Sequence, residues 1–355
     1  MLAPSRRPAI EGPRALLALP VLVLALACGE GSSRLAVTDV ASSTGASGGS
    51  LGMGGAGSVQ ATDASTAASG GAGPVEPLGE TRVTVVNGVV DEPATRLCFL
   101  PYPAGPSGTE QVWPSADGLP FARAASLDLT KDVPPSTDVE VRVVAGTKSA
   151  IAGKSCAALV DAPGVRTRSV GVLPAGALSS GRSVLLVTHG CMGGAGHTDP
   201  LESLVCGTGY TNDAPNAALA AGYLSRLASP DKVPMQFVHA VAAMSTGPLA
   251  LAPGVENASP SVVVSEWSLG AILPYPPYLE RSRVDLVDVG EATLHIGPGS
   301  PAVVKLGEAL TNGGLAESDV VDGEGLAFVA LGAMPNIPKG AWWSALTVTA
   351  VAILP

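Results

Sequence analysis

Short apolar runs recur along this chain between polar turn segments, and one of them, DVEVRVV (138–144), alternates clearly with the two-residue period of a half-buried strand. TRVTVV (81–86), DVEVRVV (138–144) and RSVLLVT (182–188) are rich in β-branched residues and predict strands. The same reasoning predicts strands at MQFVH (235–239), SVVVSEW (261–267), VDLVDV (284–289), ATLHI (292–296), LAFVALG (326–332) and ALTVTAVAIL (345–354). Turn signals separate them, among them Pro134-Pro135, Ala175-Gly176, Pro298-Gly299 and Asn312-Gly313-Gly314. NAALAAGYLSRLA (216–228) has reasonable helical character, weakened by Gly222, and reads equally well as a strand with polar neighbours. Two other stretches lack either period. Ala15 to Ala27 is continuously apolar apart from Pro20 and is too short to span a bilayer. Gly29 to about Glu80 contains hardly a large apolar side chain.

Composition sharpens this picture. Hydrophobic residues make up 46% of the 355 positions, aromatics only 4% and charged residues 14%, with 44 Gly and 31 Pro. Gly and Pro interrupt helices and punctuate turns, so a β-rich fold is expected. The Gly/Ser/Ala/Thr run of 28–80 cannot bury enough surface to offset the entropy of ordering it. It is expected to be a flexible tether with an r.m.s. span on the order of 40 Å. The remaining length suits two domains, divided as 81–230 and 231–355, or one large β domain.

The formal charge is −10. Without residues 1–27, which hold three Arg and one Glu, 17 basic side chains face 29 acidic ones, a charge of −12. Such a surface repels phosphates and anionic headgroups, and nucleic acid is not an expected partner.

At the N-terminus, basic Arg6, Arg7 and Arg14 precede the apolar run, and small Ala27 sits directly before Cys28. These residues resemble the lipobox of bacterial lipoproteins, with Ala25 standing where that family prefers leucine. The resemblance implies cleavage after Ala27, acylation (palmitate included) of Cys28 and a membrane partner held through that lipid. Gly29 is not the aspartate that retains many lipoproteins at an inner membrane, so the same sorting rules imply an outer membrane, with periplasmic or surface display.

With Cys28 assigned to lipid, Cys98, Cys156, Cys191 and Cys206 remain, an even number in an exported chain. Four cysteines allow three pairings. Cys98–Cys156 and Cys191–Cys206 are favoured because each joins nearest neighbours within one candidate domain. Chain entropy would give the short loop about 3 kcal/mol and the longer one about 4 kcal/mol.

Overlaying the halves reveals a repeat. Val83-Thr84-Val85-Val86-Asn87-Gly88 matches Met235-Gln236-Phe237-Val238-His239-Ala240, an offset of 152 residues. Gly181 to Gly190 matches Gly323 to Gly332, an offset of 142. Between them, Val141-Arg142-Val143-Val144 corresponds to Thr293-Leu294-His295-Ile296. The strand ending in Asn87 or His239, the V-R-V-V strand and the closing glycine-flanked strand resemble a bacterial domain of unknown function. That domain is a small β-sandwich, often tandem, found in secreted and cell-surface proteins and lipoproteins. The resemblance covers most of 81–355 and implies an all-β fold of two tandem Ig-like/Greek-key β-sandwich modules. Two features depart from it: the insertion 189–215, and an acidic-proline turn reduced to Asp91-Glu92-Pro93. No catalytic residue transfers with it.

Candidate chemistry is sparse. Gly45-Ala46-Ser47-Gly48-Gly49 fits G-x-S-x-G, but a nucleophile elbow needs a strand before it and a helix after it. Gly153-Lys154-Ser155 lacks the glycine spacing of a phosphate loop. His189, Cys191, His197 and Cys206 carry the donor types of a zinc or copper site, with a Cys191–Cys206 disulfide as the competing reading. His239 and Asn87 are expected to satisfy strand-end backbone groups. His295 is expected on a solvent face, and Asp319, Asp322 and Glu324 in a polar turn without calcium-loop spacing. Trp113, Trp267, Trp342 and Trp343, with Pro274-Tyr275-Pro276-Pro277-Tyr278, either pack or line a ligand groove. The expected function is a lipid-anchored envelope protein with a structural, adhesive or binding role toward a protein or glycan. Neither catalysis nor a cofactor is expected. The alternative is metal or small-molecule binding through the 189–206 loop.

Overall fold

The computed structural model describes residues 78–353 except 104–110, 114–117, 128–136, 161, 195–196, 198, 200, 208, 212, 228, 245–246, 256–257, 274–278, 300 and 335–343. Side chains of 111–113 are also not described. Cys28, the signal segment, most of the tether, Ser47, Trp342, Trp343 and the 274–278 segment lie outside the described residues.

The first module contains β1 (Arg82–Val89), β2 (Ala94–Tyr102), β3 (Gln111–Trp113), β4 (Leu119–Pro120), β5 (Ala124–Leu127), β6 (Asp138–Gly146), β7 (Val165–Leu173), β8 (Ser183–Gly190) and β9 (Ala218–Leu224). Short helices α1 (Lys148–Ile151), α2 (Cys156–Val160) and α3 (Glu202–Cys206) interrupt them. One sheet runs β5-β1-β8-β9 and the other β3-β2-β6-β7, with β4 beside β2. The chain passes repeatedly between the two sheets, so β2 pairs with β6 and β1 pairs in parallel with β8. Side-chain alternation then sets the core. Val83, Val85 and Leu186 from one sheet meet Phe99, Val141 and Val143 from the other.

The second module contains β10 (Val233–His239), β11 (Leu249–Ala252), β12 (Ser261–Val264), β13 (Ile272–Leu273), β14 (Leu279–Arg281), β15 (Thr293–Ile296), β16 (Ala302–Lys305), α4 (Leu306–Gly313), β17 (Gly325–Leu331) and β18 (Thr347–Ile353). Its sheets run β13-β10-β17-β18 and β12-β11-β15-β16, the same order as the first module. The fold is all-β, with two tandem β-sandwich modules. Duplication reaches the register: Val83↔Val184 through Asn87↔Thr188 recurs as Met235↔Leu326 through His239↔Ala330. Only the middle match slips. Val141 and Val143 face the first core, whereas Leu294 and Ile296 face the second, so the matched strands β6 and β15 are displaced by an odd number of residues. A register shift between Val141 and Arg142 accompanies the displacement.

The modules also share a core. Val86, Leu185 and Val187 point away from the first sandwich and join Val238, Ala327, Val329 and Val351, which point away from the second. Thr349 Oγ1 donates to Ala122 O at 2.7 Å within this layer. The described body is therefore four sheets deep with three apolar layers.

Three stretches show how far the pattern reaches: one differs from it, one is decided between its two readings, and one was not anticipated. VDLVDV forms a single π-helical turn at Val284–Asp288, with only Leu286 buried, because an i, i+2 pattern this short does not exclude a helical turn. NAALAAGYLSRLA supplies strand β9, paired along β8 from Ser183↔Leu224 to His189↔Ala218. Helix α4 was not expected from the pattern. Its buried Leu306, Ala309 and Leu310 fall at i, i+3 and i+4, and Gly314 caps it at φ 77°.

Candidate functional site

β1 leaves its sheet through Val90, whose N–H donates to Gly190 O at 3.0 Å. The chain then turns at Asp91-Glu92-Pro93, against the segment that follows β8. Asp91 accepts from Met192 N at 2.9 Å and Gly193 N at 2.7 Å, so both its oxygens are fixed.

A disulfide between Cys191 and Cys206 closes the loop above this turn, with a Cα–Cα separation of 5.5 Å. Asn216 straps it from outside, accepting from Cys191 N at 3.0 Å and donating to Cys206 O at 2.8 Å. Within the loop, Asp199 accepts from Leu201 N at 2.8 Å, and its own N–H donates to Glu202 Oε1 at 3.2 Å. Tyr210 donates its hydroxyl to Glu202 Oε2 at 3.2 Å. These contacts fix Glu202 on α3.

The loop places His197 over Asp91. Its Nδ1 lies 3.7 Å from Asp91 Oδ2 and 3.8 Å from Glu202 Oε1. Arg166, on β7, forms an ion pair with Glu92. Asp91, Glu92 and Glu202 are 4%, 6% and 3% exposed, so three carboxylates share a nearly dry site. Burial pushes the Asp91 carboxyl up, against the opposing pull of the Met192 and Gly193 amides, His197 and Arg166. Burial also pushes Glu92 up to about 7; Arg166 opposes the shift and Asp91 adds to it. The Tyr210 hydroxyl is raised by burial and by Glu202.

One donor atom each from Asp91, Glu92 and His197 lies within 4.8 Å of the other two. No protein-family model and no curated protein matches the chain. The chemistry of the site therefore follows from its donors: oxygen and imidazole nitrogen groups suited to holding a cation or a proton.

The four loop residues singled out by sequence separate. Cys191 and Cys206 are bonded to each other and offer no thiolate. His189 is a strand residue paired with Ala218 and Gly88, and burial lowers its imidazole to about 4. Only His197 joins a possible ligand cluster. The disulfide reading of this loop therefore holds, and it leaves no thiolate for a zinc or copper site. Asp91 and Glu92 were read as a turn and Glu202, Tyr210 and Arg166 were not singled out. Their signal, acidic residues beside a strand end and inside a cysteine-bounded loop, is visible only once the loop folds back.

Other candidates have local roles. Cys98 and Cys156 form the second disulfide, with Cα atoms 5.7 Å apart. His239 Nδ1 accepts from Val241 N at 3.2 Å, just as Asn87 Oδ1 accepts from Val89 N at 3.1 Å. Burial, then the neighbouring His189, lowers His239 to about 4. His295 is half-buried and lies 3.0 Å from Thr293 Oγ1 through its Nε2. Asp319 accepts from Ala316 N within its own turn, and Asp322 accepts from Arg283 N, tying the turn before β17 to the segment before Val284. Ser155 accepts from Ala158 N at 3.3 Å and so begins α2 rather than a phosphate loop. Trp267 packs in the second core, edge-on to His239 at 5.2 Å.

Proposed function

We propose that the chain is a lipid-anchored cell-envelope protein whose folded body serves a structural, adhesive or binding role rather than a catalytic one. The pair of disulfides carries this reading, because such bonds persist in oxidising compartments outside the cytosol. Export agrees with the basic and apolar leader ending at Ala27-Cys28. Acylation of Cys28 anchors the chain, and the Gly/Ser-rich segment to residue 80 holds the body on the order of 40 Å away. Gly29, standing where many inner-membrane lipoproteins carry aspartate, supports an outer membrane as the site of the anchor. A body of four packed sheets suits presentation of a fixed surface to a protein or glycan. Metabolic labelling with a radioactive fatty acid tests the anchor. The wild type is expected to take up label and Cys28→Ser to take up none; an unlabelled wild type overturns the anchor.

A further inference from the structure

We propose that Asp91, Glu92 and His197 form a binding site for one divalent transition-metal ion of the zinc class. This goes beyond the anchored-scaffold reading and does not depend on it.

The first argument is spacing. His197 Nδ1 stands 3.7 Å from Asp91 Oδ2 and 3.8 Å from Glu202 Oε1. Both distances exceed the roughly 3.2 Å limit of a good N–H···O hydrogen bond. They lie within reach of two donors that share one ion through bonds of about 2.1 Å, at an angle of roughly 125–130° that closes toward tetrahedral with a shift of a few tenths of an ångström. Glu92 brings a third donor to within 4.8 Å of the other two. Glu202 stands beside the ring at nearly the same spacing as Asp91, outside the cluster that Asp91, Glu92 and His197 make.

The second argument is charge. Asp91, Glu92 and Glu202 bring three buried carboxylates to one guanidinium, Arg166, whose side chain remains about a third exposed. Burying like charges without compensation is costly, and a dication compensates two of them at once.

The third argument is the outer shell. Backbone amides hold both Asp91 oxygens, while Asp199 N and Tyr210 OH hold the two oxygens of Glu202. Such anchoring orients donors before an ion arrives. The imidazole selects the metal class, since calcium and magnesium prefer all-oxygen shells. On binding, Glu92 exchanges its ion pair with Arg166 for the metal.

The test titrates the full mature chain with zinc(II) alone by calorimetry, and with cobalt(II) by visible absorbance. One saturable ion per chain is expected. Binding should weaken by at least about 10-fold in His197→Gln and in Glu92→Gln, a loss that even outer-shell changes can cause. His295→Gln should bind as the wild type does. The wild-type cobalt spectrum should show no thiolate charge-transfer band, a readout independent of variant folding. Absence of saturable binding overturns the proposal, as does undiminished affinity in both ligand variants or a thiolate band. None of these results bears on the fatty-acid label.

Discussion

Arg226 is a single side chain on which several segments depend. Its guanidinium donates to Ser183 Oγ at 2.9 Å, Gly181 O at 3.1 Å and Glu80 O at 2.6 Å. It thus ties the entry of the chain, the start of β8 and the connection between modules. Removing it leaves three acceptors without this donor, and Arg226→Ala is expected to cost about 2–4 kcal/mol in urea unfolding. A loss below about 0.5 kcal/mol, ordinary for a surface change, would refute this role. The two interior histidines give a pH dependence of definite sign. His189 and His239 have folded values of about 4, below the ordinary 6.5. Each is neutral in the folded protein, so its contribution is intact above 6.5 and is lost as pH falls toward 4. By the bottom of that window each has cost on the order of 3 kcal/mol. The repeat supplies replacements, since Leu331 occupies the place of His189 and Asn87 that of His239. A His189→Leu/His239→Asn variant should lose less stability than wild type between pH 7 and pH 4.5. Comparing the two chains also cancels the opposite trend of Asp91 and Glu92. Equal slopes would show that these imidazoles are not the groups that charge.

Disulfides act at the scale of elements. Cys98–Cys156 closes 58 residues and pins α2 to β2, where Val144, Ile151 and Leu159 form a separate apolar patch. Cys191–Cys206 closes 15 residues and carries α3 with Glu202. Replacing the latter pair by serines is expected to lower stability by about 3 kcal/mol. It should also weaken zinc binding, because His197 and Glu202 lose their shared frame; an unchanged zinc affinity would mean that the frame is held by other contacts. The pairing was legible from the sequence because each bridge joins neighbouring cysteines. β6 was legible from its alternation, and β1 and β8 from runs of β-branched and apolar residues, which their sheet needs because both its faces are buried. Short elements were not. VDLVDV has too few residues to separate a two-residue period from a helical turn, and α4 hides its apolar stripe in LGEALTNG ahead of glycines that also signal a turn. The acidic cluster was less legible still, since its donors meet only when 191–206 folds back over the turn at 91–93.

Duplication accounts for why the two described modules pack against each other and are not modules on a string. The outer faces of the β5-β1-β8-β9 and β13-β10-β17-β18 sheets are apolar, and each covers the other. Their contacts are reciprocal: Thr349 reaches Ala122, while Ala220, the counterpart of Thr349, lies against Gly270, the counterpart of Ala122. This is the self-complementary geometry of a two-fold interface, here built within one chain. It is not fully symmetric. Smaller residues at Ala220 and Gly222, where the other half has Thr349 and Val351, border a narrow apolar crevice lined also by Leu185, Val187, Val238 and Ile272. A layer buried between two modules couples their unfolding, because separating them exposes apolar surface on both. Calorimetry on the folded body should therefore show one transition whose calorimetric and van't Hoff enthalpies agree. Val329, fully buried in the shared layer, gives the sharper test. Val329→Asp places a charge between the sheets and should lower the melting of both modules together, by more than about 4 kcal/mol. Two resolved transitions in the wild type, or a variant in which the first module melts unchanged, would mean that each sandwich is stable alone and the shared layer is only contact.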